Sequence, residues 1–246
     1  MFVLLYADDT VLLAVSEAGL QYSLSTFYSY CNLWKLEVNT SKTKVVVFCK
    51  QKCKHQYNFT VGTQPIDVVD TFSYLGVVFQ FNNIFSAAKR TIVAHAKKAM
   101  YSVLSKISYL KLPVDLLLEL FDSLVSPVLL YSCEIWGFEN LNLIEGVHLD
   151  FCKPLLKLRK STPNYMVYGE LGRFPMYLRI YQRMYNFWCT LVQPKTDKLS
   201  SFIYRIMLSL YQSSNIKSPW LQYIEKMLNQ SGHWFLWNIQ FIVYVS

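Results

Sequence analysis

Glycine and proline are scarce, eight of each in 246 residues, which excludes a fibrous chain or a string of flexible linkers. Charge is sparse too, at 16% against 53% hydrophobic residues, and that argues against wholesale disorder. Long apolar runs are missing despite a mean hydropathy of +0.21. No window approaches the roughly 20 uninterrupted apolar residues of a membrane span, because Asp8 and Asp9 end Met1–Ala7, and Asn238 and Gln240 break Trp234–Val245. A secretory signal is also missing, since no basic segment precedes the first apolar stretch. These absences predict an intracellular protein, cytoplasmic or nuclear, with no membrane partner. The six cysteines are scattered, unlike a disulfide framework. Cys49, Cys53 and His55 lack a nearby fourth ligand, so a zinc site is not expected. There is no Gly-rich phosphate loop and no Ser/His/Asp arrangement at recognisable spacing.

What is present is segregated charge. The net charge is +8. Six lysines face one acid, Glu37, between Lys35 and Lys54. No acid occurs from Thr71 to Val114, where Lys89, Arg90, Lys97, Lys98, Lys106 and Lys111 fall. Eight acids then follow between Asp115 and Glu170, relieved only by Lys153, Lys157, Arg159 and Lys160. Such asymmetry points to a face made for a polyanion.

Local patterning predicts an α+β fold for the first third and helices after it. Phe2–Tyr6 and Val11–Val15 flank Asp8-Asp9-Thr10 as a hairpin. Ser16-Glu17 starts a helix carrying Leu20, Leu24, Phe27, Cys31 and Trp34 at helical spacing. Strands are expected at Lys44–Cys49, Tyr57–Val61 and Phe72–Phe81, with a turn over Gly62-Thr63-Gln64-Pro65. Helices are expected at Ala87–Ser108, Val114–Val125, Ile144–Leu158 (interrupted by Pro154), Pro175–Val192, Leu199–Gln212 and Pro219–Leu228.

Adjacent carboxylates are the chemical signal. Like charges disfavour each other's ionisation, and a divalent cation with a preference for hard oxygen ligands removes that cost. A solvated hairpin tip, where Asp is common, is the plain alternative.

The surroundings of that pair carry a resemblance. Phe2-Val3-Leu4-Leu5-Tyr6-Ala7-Asp8-Asp9-Thr10-Val11-Leu12-Leu13-Ala14 resembles the catalytic hairpin of reverse transcriptases of non-LTR, LINE-type retrotransposons. In the same order, Leu36–Phe48 resembles the following palm motif, Phe72–Phe79 the primer-grip hairpin, and Ala87–Lys106 the first thumb helix. Pro127–Gly137, Tyr168–Pro175 and Trp234–Gln240 are similar to segments downstream of the polymerase in such elements.

The resemblance implies a truncated reverse-transcriptase palm over 1–85, a thumb over 86–126 and a helical C-terminal extension over 127–246. It implies RNA-directed DNA polymerisation: nucleotide addition to a DNA primer on an RNA template from deoxynucleoside triphosphates, with two magnesium ions about 3.5–4 Å apart. Asp8 would be a metal ligand with Asp9 beside it, and Tyr6 would lie near the primer end. Lys42 or Lys44 would meet the triphosphate; an ordinary strand-edge lysine is the alternative. Tyr74-Leu75-Gly76 would form the primer grip, against the alternative of a plain strand with a bulge. Lys89, Arg90, Lys97 and Lys98 would contact primer–template phosphates.

The family takes another catalytic aspartate from an upstream strand, yet only seven residues precede Asp8. The sequence therefore predicts an open apolar strand edge, poor solubility and no polymerase activity without a separate N-terminal half. An inactive remnant that only binds nucleic acid is the other reading. Tyr177, Tyr181 and Tyr185 with Arg179 and Arg183 suggest an RNA-gripping stripe, although a core stripe with snorkelling arginines is the expected outcome.

Overall fold

Ser16 ends an apolar hairpin and starts a helix in one step. Its Oγ accepts the Gly19 N–H at 3.2 Å, satisfying one of the orphan donors of the first turn. The computed structural model describes residues 2–49, 55–82, 84–107, 109–138, 140–193, 198–213 and 218–243, without the side chains of 241–243. The fold is α+β and falls into two compact units, Met1–Ala88 and Lys89–Ser246.

In the first unit, β1 (Phe2–Tyr6) and β2 (Asp9–Leu13) pair antiparallel, from Phe2↔Leu13 to Tyr6↔Asp9. The second strand starts two residues before the expected Val11, because a two-residue turn draws Asp9 into the ladder. Helix α1 (Glu17–Leu33) closes where Leu36 N–H reaches Cys31 O at 2.8 Å and Lys35 N–H reaches Asn32 O at 3.3 Å. That closure sets Lys35 at φ +54°, a left-handed conformation that glycine adopts freely and a Cβ opposes. Lys35→Gly is therefore expected to stabilise the protein by about 1 kcal/mol, read as a higher denaturant midpoint at unchanged slope.

A small sheet follows in the order β3 (Lys44–Val45), β5 (Gln64–Val68), β4 (Phe59–Val61), parallel between β3 and β5 and antiparallel between β5 and β4. Only two residues of the expected Lys44–Cys49 strand pair. Strand β5 also starts inside the expected turn, which contracts to Gly62-Thr63. Pro65 is tolerated there for a local reason. Its partner Thr60 turns its backbone away from β5, and the Gln21 amide brackets it: Thr60 N–H donates to Oε1 and Nε2 donates to Thr60 O, each at 3.0 Å. The missing proline N–H thus costs no ladder bond. Leu24 on α1 packs with Val45, Phe59, Val61 and Ile66 as the buried centre of this unit, and Leu12 of β2 lies against it. The expected run Phe72–Phe81 resolves into a hairpin, β6 (Thr71–Tyr74) and β7 (Val77–Gln80).

Helices follow: α2 (Ser86–Ile107), α3 (Val114–Leu120), α4 (Ser126–Leu129), α5 (Cys133–Trp136), α6 (Asn142–Leu155), α7 (Asn164–Leu171), α8 (Met176–Val192), α9 (Leu199–Ser213), α10 (Pro219–Gln230) and α11 (Trp234–Val243). The expected single helix Val114–Val125 is instead α3 followed by a π turn, Phe121–Val125. Pro127 has no N–H to continue the α-ladder, and Ser126 N–H shifts to Phe121 O. Pro154 sits in the last turn of α6, which ends at Leu155 rather than the expected Leu158. Phe121, Trp136, Ile144, Val147, Ile180 and Met184 are fully buried at the centre of the second unit. Among the described residues no helix is long and apolar enough to cross a membrane.

Candidate active site

The turn between β1 and β2 holds only Ala7 and Asp8. Ala7 has φ +52°, a conformation costly for any residue with a Cβ and one that clusters at functional turns. Tyr6, Asp8 and Asp9 are all exposed, so the turn presents two carboxylates and a phenol together. Among the described residues neither carboxylate is held by a cation or a hydrogen-bond donor. Their hard oxygens suit magnesium chemically. The donor set is short, however: no group of three or more His, Cys, Asp or Glu among the described residues could hold a metal ion. Asp8 and Asp9 by themselves do not make a complete magnesium site.

The two candidate lysines separate. Asn39 builds the turn ahead of them: its Oδ1 accepts from Lys42 N–H at 3.1 Å and Ser41 Oγ–H at 2.7 Å, and its backbone O accepts from Thr43 N–H at 3.0 Å. The Lys42 ammonium is left exposed. Lys44 instead pairs with Asp67 directly across β3 and β5, Nζ to Oδ2 2.6 Å. Of the two, Lys42 has the charge to offer an anion. Lysines 50, 52 and 54 and Cys53 lie outside the described residues. His55 packs edge-on against Tyr57 and lies 3.3 Å from Glu17 Oε2.

Tyr74-Leu75-Gly76 form the β6–β7 turn. Leu75 at φ +47° and Gly76 at φ +78° match a type I′ turn, in which both central residues need positive φ. No bulge is needed to explain the glycine.

The four cations of α2 do not form one surface. Arg90 and Lys98 are exposed. Lys89 is 3% exposed and its Nζ donates to Asn140 O at 3.4 Å. Lys97 is paired with Asp150 at 2.9 Å, and that hydrogen bond raises the lysine above its ordinary range. The expected interface thus loses two of its four members to the fold of the second unit. Exposed Tyr101 and His95 stay on the outer face with Arg90 and Lys98.

The tyrosine stripe of α8 is not the core stripe expected: Tyr177 is exposed and Tyr181 and Tyr185 are half-buried. The helix buries Ile180, Met184 and Trp188 instead. Tyr181 sits edge-on to Tyr177 and Tyr223 at 5.4 and 5.6 Å, and Arg183 donates to Leu130 O at 3.0 Å.

A buried polar cluster escaped the sequence reading. Glu145 Oε2 accepts Met176 N–H at 2.8 Å, capping α8, while its other oxygen takes the Tyr168 hydroxyl and His148 Nδ1. Burial pushes the Glu145 carboxyl up, but those hydrogen bonds outweigh it and hold it below the usual range. Arg173 and Arg179 both grip Asp122 with two hydrogen bonds, at 2.6 Å each and at 2.8 and 3.0 Å. The segment Tyr168–Pro175 therefore supplies a buried hydroxyl, a left-handed helix end at Gly172, an arginine anchor and the cap of α8. The thiols of Cys133 and Cys152 are both pushed up to about 12 by burial, which makes them inert.

The reverse transcriptase (RNA-dependent DNA polymerase) family matches residues 1–79. A transposon-derived protein of Caenorhabditis elegans is 31% identical over 148 residues, 58% of this chain and 51% of that protein. The RNA-directed DNA polymerase of the mobile element jockey of Drosophila melanogaster is 22% identical over 181 residues, 68% of this chain and 19% of that protein. The chain thus spans about half the length of the first relative and far less of the second. No solved structure matches it. Residues 1–79 match the reverse transcriptase family, and the similarity to the jockey polymerase supports kinship with the reverse transcriptases of LINE-type retrotransposons.

Proposed function

We propose that this chain supplies the rear of the palm (1–85), the thumb (86–126) and a helical extension (127–246) of a retrotransposon polymerase that copies RNA into DNA. The observation that carries this reading is the two-residue turn of Tyr6-Ala7-Asp8-Asp9, exposed and with both carboxylates uncommitted, inside the matched segment. Asp8 and Asp9 would be magnesium ligands. Nucleotide phosphates, water and a carboxylate from a separate N-terminal polymerase segment would complete the set. Lys42 is the better placed of the two lysines for the triphosphate, and the Leu75-Gly76 turn with Tyr74 would hold the primer. Arg90 and Lys98 would meet the phosphates of the RNA template and DNA primer. Such a role belongs in the cytoplasm or nucleus.

A second reading, an inactive remnant that only binds nucleic acid, draws support from the incomplete donor set. One assay separates them: extension of a DNA primer on an RNA template, with magnesium and deoxynucleotides, by the purified chain alone and with an N-terminal polymerase segment added. The expected result is binding with no extension by the chain alone and extension once the segment is added; no extension in either case selects the remnant. Extension by the chain alone that Asp8→Ala abolishes would show instead that the chain completes its own metal site.

A further inference from the structure

The acid-rich block from Asp115 to Glu170 carries one inversion of charge, and the structure makes it a rigid platform. Between Phe151 and Gly169 there is no acid, while Lys153, Lys157, Arg159 and Lys160 all fall there. Lys153 differs from the other three. It is 8% exposed, and its ammonium donates to Lys160 O at 2.7 Å and Thr162 O at 2.8 Å. A buried lysine spent on two backbone carbonyls fixes the loop from within, since a buried charge must be satisfied. The near end is fixed as well. Leu158 N–H reaches Lys153 O at 2.9 Å, with Lys157 at φ +54°, and Thr162 N–H closes on Arg159 O at 3.0 Å.

The consequence is that Lys157, Arg159 and Lys160 stand exposed on a stiff backbone, with no acidic partner among the described residues. Three cations within four residues span at most about 11 Å of chain. Five residues beyond Lys160, at the start of α7, Tyr165 is 72% exposed. Surface salt bridges would normally absorb such charges. Among the described residues none does, and the Tyr165 ring, five positions on, is left in solvent.

We propose that the 157–160 loop and Tyr165 form a nucleic-acid contact of the second unit, separate from α2. The cations would meet successive phosphates and the ring would stack on an unpaired base. Single-stranded RNA or DNA fits better than a membrane surface. An anionic bilayer would use the charges together with the exposed Leu158 and Met166, but the Tyr165 ring, 72% exposed, offers the face that stacks on an unpaired base. The inference rests on the nucleic-acid reading above.

The test is binding of the full chain to a labelled single-stranded RNA oligonucleotide across a salt series. Lys157→Asn, Arg159→Gln and Lys160→Gln together should weaken binding about 100-fold at 0.1 M salt and lower the salt slope by about 2. Tyr165→Ala should weaken it about tenfold, with Tyr165→Phe retaining wild-type affinity. The charge-retaining pair Arg159→Lys and Lys160→Arg should bind normally, which separates lost contacts from lost folding. An unchanged slope in the triple variant, with the wild-type chain binding RNA, overturns this proposal alone. Absence of any salt-dependent RNA binding by the wild-type chain overturns both it and the polymerase reading. Triple-variant loss confined to vesicles containing anionic lipid would assign the loop to a membrane surface and overturn it as well.

Discussion

Asp122→Ala should destabilise the second unit by about 3 kcal/mol, measured as a lower urea midpoint. Asp122 is the common acceptor of Arg173 and Arg179, whose side chains are 12% and 39% exposed against 31% for the aspartate. Removing one partner of a buried pair costs about 3–5 kcal/mol, because the other charge is left uncompensated. Partial exposure of this cluster sets the expectation at the low end. The two arginines should differ: Arg173→Met should be the more damaging, and Arg179→Met should cost about 1 kcal/mol or less, as for a solvent-screened pair. Equal losses from both would show that burial does not grade the cluster.

The same site sets a pH dependence. Burial pushes the Asp122 carboxyl up, yet the hydrogen bonds and charges of Arg173 and Arg179 outweigh it and hold it well below the usual carboxylate range. Glu145 is lowered too. A carboxylate with a depressed folded pKa contributes stability that is present above its unfolded value, about 4, and lost as pH falls below it. Stability should therefore be level above about pH 5 and fall on the acid side, and Asp122→Ala should flatten that fall.

Gly137→Ala should be as damaging, at about 3 kcal/mol. A Cβ at Gly137 would stand 2.3 Å from Ile180 Cγ2, 2.6 Å from Cys133 O and 2.9 Å from Met184 Sδ. Ile180 and Met184 are fully buried on α8, and the Cys133 carbonyl accepts the Gly137 N–H at 2.8 Å. None of the three can step aside without moving packed structure. Adding Ile180→Leu, which removes the nearest methyl, should restore part of the loss, and the two changes should be non-additive. A neutral Gly137→Ala would show that α5 and α8 separate at little cost.

Much of the local structure was legible in the sequence because its causes are local. Ser16 capping α1, the alternation of apolar runs around Asp8-Asp9, and Pro175 opening α8 each act within a few residues. Pro65 misled for the opposite reason: the Gln21 amide that makes a proline acceptable in β4–β5 lies 39 positions from Thr60. The left-handed backbone of Lys35 has a cause only in the helix-closing bonds to Asn32 and Cys31.

By itself, the sequence determined the order of the elements, the exposed acidic turn and the excess of positive charge. Tertiary structure decided which charges are free to act. Helical spacing puts Lys89, Arg90, Lys97 and Lys98 on one helix, but it cannot say which way that helix turns. Burial of Lys89 and pairing of Lys97 with Asp150, 53 positions away, remove half of the set. Lys44 is matched by Asp67 in the same way, whereas Lys153, turned inward, stiffens the loop that leaves Lys157, Arg159 and Lys160 in solvent. An ammonium's availability depends on partners that the chain brings together only by folding.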